Sequence, residues 1–110
     1  VKEYIRKHMA EQLSLHSVSK AVGVSQTYLS RLFRRYEDAS FNTYLTALRM
    51  EKAKLLLQRE EKMYVKDVAE KVGYKDQFYF SRIFYSYTGV RPSEYVEKEN
   101  HGMITKIILI

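Results

Sequence analysis

A chain of 110 residues with 45% apolar content is long enough for one domain, or for two small subdomains sharing a long element. Nineteen Lys and Arg against 13 Asp and Glu leave a formal charge of +6, spread along the chain, which suits a basic face meeting nucleic acid, an anionic membrane surface or an acidic protein. The lack of cysteine excludes disulfides, thiolate zinc sites and cysteine nucleophiles and suits the cytoplasm, and no apolar run approaches membrane-spanning length.

In chain order, Tyr4, Ile5, Met9 and Leu13 form a helical stripe, so residues 2–13 read as a first helix. Ser14 or His16–Ser17 ends it, and a short helix over about 17–22 stops at Gly23. Ser25 then caps a helix over 26–36 whose apolar residues Leu29, Leu32, Phe33 and Tyr36 recur at i, i+3, i+4 and i+7. Glu37–Ser40 reads as a turn, with Ser40 capping a long helix over 41–59. Its stripe of Phe41, Tyr44, Leu45, Leu48, Ala53, Leu56 and Leu57 is broad enough for two subdomains. The polar run Gln58–Met63 follows. A short helix from Val65 or Lys66 then ends at Gly73, and Asp76 caps the next, where Phe80, Ile83, Phe84 and Tyr87 repeat the earlier pattern. Gly89 closes that helix, and Pro92 opens a last one through about Lys98. The apolar tail from Ile104 could pack on the helices, pair as a strand with another copy, or be disordered.

The expected fold is therefore all-α, with seven helices in two helix-turn-helix subdomains joined by a long central helix. Residues 1–40 form the first subdomain, 41–59 the linking helix and 60–98 the second subdomain, while 99–110 are a tail. The two subdomains repeat one another. Val18, Val22 and Gly23 lie 50 residues before Val68, Val72 and Gly73; the offset becomes 51 from Ser30/Ser81 and Arg31/Arg82 through Tyr44/Tyr95. Each copy is a short helix, a glycine turn and a longer helix, the pattern of proteins that read duplex DNA.

A helix enters the major groove when one face anchors it and the other presents polar or cationic groups. Leu29, Leu32 and Phe33 anchor the first, leaving Gln26, Thr27, Ser30 and Arg31 as candidates to face bases. Phe80, Ile83 and Phe84 anchor the second, leaving Gln77, Phe78, Ser81 and Arg82. Arginine bonds guanine, glutamine bonds adenine, and Phe78 or the Thr27 methyl can pack on a thymine methyl; a good bidentate pair discriminates by about 1–3 kcal/mol. Arg34, Arg35 and Lys75, with helix-terminal amides, are better placed for backbone phosphates. Two such helices in successive major grooves need centres roughly 34 Å apart, or bent DNA.

The same residues resemble the DNA-binding domain of the AraC/XylS family of bacterial transcription regulators, over residues 4–97 or so. The pieces that carry the resemblance are Tyr28-Leu29-Ser30-Arg31-Leu32-Phe33, Phe41-X-X-Tyr44-Leu45, Leu48-Arg49-Met50-Glu51-Lys52-Ala53, Val68-Ala69-X-X-Val72-Gly73-Tyr74, Tyr79-Phe80-Ser81-Arg82-Ile83-Phe84 and Thr88-Gly89-X-X-Pro92-Ser93-X-Tyr95. The resemblance implies that the helices over 26–36 and 77–87 are the two recognition helices. It also implies promoter DNA and RNA polymerase as partners, activation of transcription, and a separate N-terminal sensory, receiver or dimerisation domain. The wording is closest to members fused to a response-regulator receiver. Asp38-Ala39 departs from the family's glycine-bearing turn, Lys75 from its small capping residue, and the tail from its pattern altogether.

No cofactor, metal or catalytic group is expected. His8 and His16 lack a third ligand, and there is no phosphate loop or nucleophile elbow. The alternative is a helical protein-interaction module without sequence-specific DNA binding. Arg49 reads as the partner of an acidic side chain between subdomains.

Overall fold

The computed structural model describes residues 1–36, 40–58 and 63–95. They are all-α: α1 (Lys2–His8), α2 (Leu15–Val22), α3 (Gln26–Tyr36), α4 (Phe41–Leu57), α5 (Val65–Lys71) and α6 (Gln77–Thr88), with a seventh helical segment at 92–95. Most of the Glu37–Ser40 turn, most of the Gln58–Met63 run and the tail lie outside the described residues. The chain divides into two compact units between Arg49 and Met50, so the two halves of α4 belong to different units.

In the first unit, Ile5, Met9, Val18, Leu29, Phe33, Phe41 and Leu45 close one core. The Phe33 ring meets Phe41 edge-on at 5.6 Å and Tyr44 at 5.3 Å. The first helix ends at His8, not near residue 13, and the second begins at Leu15, not 17. Ser14 decides the second boundary. Its hydroxyl accepts the Ser17 N–H at 3.0 Å while Ser17 Oγ accepts the Ser14 N–H at 3.0 Å, a reciprocal cap that starts α2 early.

Arg49 then compensates the chain leaving α1. Its Nε donates to the Met9 carbonyl at 3.0 Å and its Nη2 to the Glu11 carbonyl at 2.9 Å. Both carbonyls lie within the first unit, and the two bonds satisfy acceptors that a short helix leaves open. At the other end of α2, Gly23 takes φ 77° and returns its N–H to the Ser19 carbonyl. Open space surrounds its missing side chain, so the dihedral alone calls for glycine.

The second unit packs Met50, Ala53, Leu56 and Leu57 of α4 against Val68, Ala69 and Val72, with Tyr74, Phe80 and Phe84. Met50, absent from the expected stripe, is fully buried. Phe84 stacks edge-on with Tyr95 at 5.5 Å and lies 5.8 Å from Phe80. The caps follow expectation: Ser25 Oγ takes the Tyr28 N–H, Ser40 Oγ the Thr43 N–H, and Gly89 closes α6 at φ 86°.

Two stripe residues leave the core. Tyr36 is 69% and Tyr87 42% exposed. Each stands in the last turn of a helix that outruns its partner, since α2 has 8 residues against 11 in α3, and α5 has 7 against 12 in α6. A tyrosine tolerates that position because its hydroxyl prefers water or a partner; that of Tyr87 donates to Glu51 Oε1 at 3.3 Å.

Candidate nucleic-acid interface

Within each unit the shorter helix packs on the longer one, α2 on α3 and α5 on α6, and this decides which faces stay outside. On α3, Leu29 and Phe33 point into the core and Thr27, Arg31, Arg34 and Arg35 are exposed. On α6, Phe80 and Phe84 point inward and Phe78 and Arg82 outward. Lys75 is exposed just ahead of α6. The equivalent serines, Ser30 and Ser81, are only half-buried margins of these faces, as is Gln77. Small hydroxyls there leave room for a close approach by a partner.

Several side chains are more constrained than the sequence suggested. Gln26 Nε2 donates to His16 Nδ1 at 2.7 Å, leaving the amide one N–H and its carbonyl oxygen for another partner. The Arg82 guanidinium lies 5.8 Å from the Tyr79 ring centroid, and that of Arg35 lies 5.6 Å from Tyr36. Such cation–π contacts are worth about 0.5–1 kcal/mol at exposed sites, enough to bias where an arginine points.

The helix starts differ as well. Asp76 Oδ1 accepts the Phe78 N–H at 2.9 Å and the Tyr79 N–H at 3.4 Å, so a carboxylate occupies amides that sequence reasoning offered to phosphate. At α3 the cap is the neutral Ser25 hydroxyl.

The sequence reading missed three residues beside α6. Tyr79 and Tyr85 are exposed, and Arg91 with Tyr85, Arg82 and Ser81 lines a groove of about 420 Å³. The signal was present: Tyr85 follows Phe78 by seven residues, hence on the same face. Lys54 and Tyr87, the two groups of shifted acidity among the described residues, lie off these faces. Among the described residues no cluster of His, Cys, Asp and Glu could hold a metal ion, and no helix is long and apolar enough to cross a membrane.

Comparison with known proteins gives one consistent result. A family model described as a helix-turn-helix domain matches residues 18–98. The HTH-type transcriptional regulator YijO of Escherichia coli is 38% identical over 106 residues, covering 96% of this chain and 37% of that protein. The arabinose operon regulatory protein of Escherichia coli is 38% identical over 94 residues, covering 84% of this chain and 32% of that protein. Among solved structures, the C-terminal domain of AraT, a response regulator from Geobacillus stearothermophilus, superposes with a TM-score of 0.83 at 40% identity, covering 87% of this chain and 79% of that one. The chain thus spans about a third of the length of these two curated relatives.

Proposed function

Because the chain belongs to the AraC/XylS family of helix-turn-helix transcription regulators, we propose that it is the part of one such regulator that binds DNA sequence-specifically. The observation that carries this reading is the pair of outward faces at equivalent places in the repeat. Arg31 and Arg82, at the offset of 51, are both exposed opposite a buried Leu29/Phe33 or Phe80/Phe84 edge. A helix so anchored offers its free side to base edges without disturbing the core.

In this reading Gln26, Thr27, Ser30 and Arg31 face one block of bases, and Gln77, Phe78, Ser81 and Arg82 face a second, in successive major grooves. Arg34, Arg35 and Lys75 hold backbone phosphates. Residues 1–40 and 60–98 are the two DNA-reading subdomains and 41–59 the helix that joins them. The relatives extend well beyond the matched segment, which supports a sensory, receiver or dimerisation domain elsewhere in the polypeptide. The regulator acts in the cytoplasm, at a promoter, by recruiting or positioning RNA polymerase.

The test is selection of bound duplexes from a random pool at stated salt. Two short preferred blocks about one helical turn apart are expected. Arg82→Ala should relax the preference at one or two base pairs of one block, by about 1–3 kcal/mol each. Absence of any preference would move the chain to the alternative, a helical protein-interaction module.

A further inference from the structure

We propose that the groove lined by Ser81, Arg82, Tyr85 and Arg91 is the seat of one backbone phosphate of the bound DNA, with Arg91 and the Tyr85 hydroxyl as its donors. This rests on the assignment of α6 as a DNA-reading helix. All four lining side chains carry hydrogen-bond donors, two guanidiniums and two hydroxyls, and no carboxylate is among them. Two arginines around one concavity concentrate positive potential there, and guanidinium matches phosphate oxygens in pairs.

Position along α6 assigns the roles. Phe78, Arg82 and Tyr85 stand at i, i+4 and i+7, one stripe about 10 Å long. The major groove is about 8.5 Å deep, so a helix whose first turn meets base edges carries its third turn level with the sugar-phosphate rim. Phe78 therefore meets bases and Tyr85 meets the backbone. The repeat agrees: at the offset of 51, Tyr85 corresponds to Arg34, which the first unit devotes to phosphate.

Arg91 is held beside this stripe by its turn. Gly89 reverses the chain at φ 86°, Thr88 Oγ1 accepts the Val90 N–H at 3.2 Å and donates to the Phe84 carbonyl at 2.8 Å, and Pro92 is buried behind. Glu94 competes for the guanidinium, with 4.0 Å between Oε1 and Arg91 Nε. An exposed pair at that distance is weak, and a phosphate displaces it.

The experiment walks a single uncharged methylphosphonate along a selected duplex, using the chain, Arg91→Ala, Arg91→Lys and Tyr85→Phe. One position flanking the α6 block should cost the unaltered chain on the order of tenfold in affinity. Arg91→Ala should bind the ordinary duplex that much more weakly, lose its response at that position, and lower the salt slope by about 1 with base preference unchanged. Tyr85→Phe should show a smaller loss at the same position, and Arg91→Lys should restore most of the salt slope.

Several results would overturn the seat. These are an Arg91→Ala variant of normal helicity with unaltered affinity and slope, or one whose methylphosphonate profile matches that of the unaltered chain. A changed base preference would make Arg91 a base reader instead. Saturable uptake of inorganic phosphate that Arg91→Ala abolishes, with no position-dependent methylphosphonate effect, would assign the groove to the free ion. If Arg91→Ala is inert while Arg82→Ala still relaxes base preference, the seat fails and the DNA-reading function stands. If no duplex is preferred at all, that premise falls and the seat with it.

Discussion

The two units share a frame and differ in what they display. In α3 the positions facing away from the core hold Thr27, Arg31, Arg34 and Arg35; in α6 the same positions hold Phe78, Arg82, Tyr85 and Ser86. One face is cationic, and the other is an aromatic surface around a single arginine. The inward positions, by contrast, are Leu29 and Phe33 in one unit and Phe80 and Phe84 in the other, all closely packed. Core positions are tied by volume and burial, whereas outward positions are free to take whatever chemistry the partner demands. Under the proposed function, the first face would serve electrostatic grip and guanine contacts, and the second apolar contacts with thymine methyls.

The largest effect should come from breaking one frame and leaving the other. Phe84 is fully buried among Phe80 and Tyr95, so Phe84→Ala should cost about 3–5 kcal/mol. Hydrogen exchange should show lost protection in α5 and α6, while α2 and α3 keep theirs. Equal loss in both pairs would mean the units do not fold separately. On DNA, the block read by α3 should stay protected at low salt and the block read by α6 should not.

Next in size is the contrast between the faces. Replacing Arg34 and Arg35 together with alanine should lower the slope of log affinity against log salt by about 2 and weaken all duplexes alike. Phe78→Ala should leave that slope unchanged. Its effect should instead be matched by exchanging thymine for deoxyuridine in the α6 block, a loss of about 1 kcal/mol for the missing methyl. If Phe78→Ala responds to that exchange as strongly as the unaltered chain does, Phe78 is not the methyl's partner.

The frame was largely legible in the sequence because it repeats periodicities that burial enforces. Leu29/Phe33 and Phe80/Phe84, the glycine closures and the caps Ser25, Ser40 and Asp76 all follow from short-range chemistry. Local signals misled where a tertiary partner intervened. Arg49 holds two carbonyls some 40 residues away in sequence, which lets α1 end at His8, and no pattern within α1 reports that. Tyr36 and Tyr87 fit the apolar spacing yet lie beyond the helices that would cover them. The site was half legible. The arginines stood out by repetition, but Tyr85, whose counterpart is Arg34, did not, and the Gln26–His16 bond joins two motifs that were read separately.

Capping gives a smaller contrast. Asp76 serves two N–H groups of α6 with a charged oxygen, whereas Ser25 serves one of α3 with a neutral one. Asp76→Ala should cost about 1 kcal/mol of stability and Ser25→Ala somewhat less, by chemical denaturation. Removing the Asp76 carboxylate should also strengthen DNA binding at the α6 block, since a negative charge leaves the end of α6 proposed to approach the polyanionic duplex. Weaker binding in a folded Asp76→Ala variant would show that the cap's ordering of α6 outweighs its charge.

The smallest effect belongs to Glu51, which lies against Tyr87 in the last turn of α6. Glu51 pairs with Lys54 at 3.0 Å and accepts from the Tyr87 hydroxyl at 3.3 Å. The hydrogen bond to Glu51 leads in raising the Lys54 ammonium above its usual 10.5, partly opposed by desolvation. Burial leads in raising the Tyr87 hydroxyl above 10.0, and the Glu51 charge adds to it. Both groups keep their protons longer in the folded chain than in the unfolded one, so stability must fall as pH rises. The Tyr87 contribution is complete below about pH 10 and that of Lys54 below about 10.5; each disappears as pH climbs through its own higher folded value. Glu51→Gln should therefore change stability little at neutral pH, where an exposed pair is worth about 0–1 kcal/mol, and should flatten the alkaline decline. Denaturation midpoints measured at rising pH give the comparison, and parallel curves for Glu51→Gln and the unaltered chain would remove Glu51 as the source of the decline.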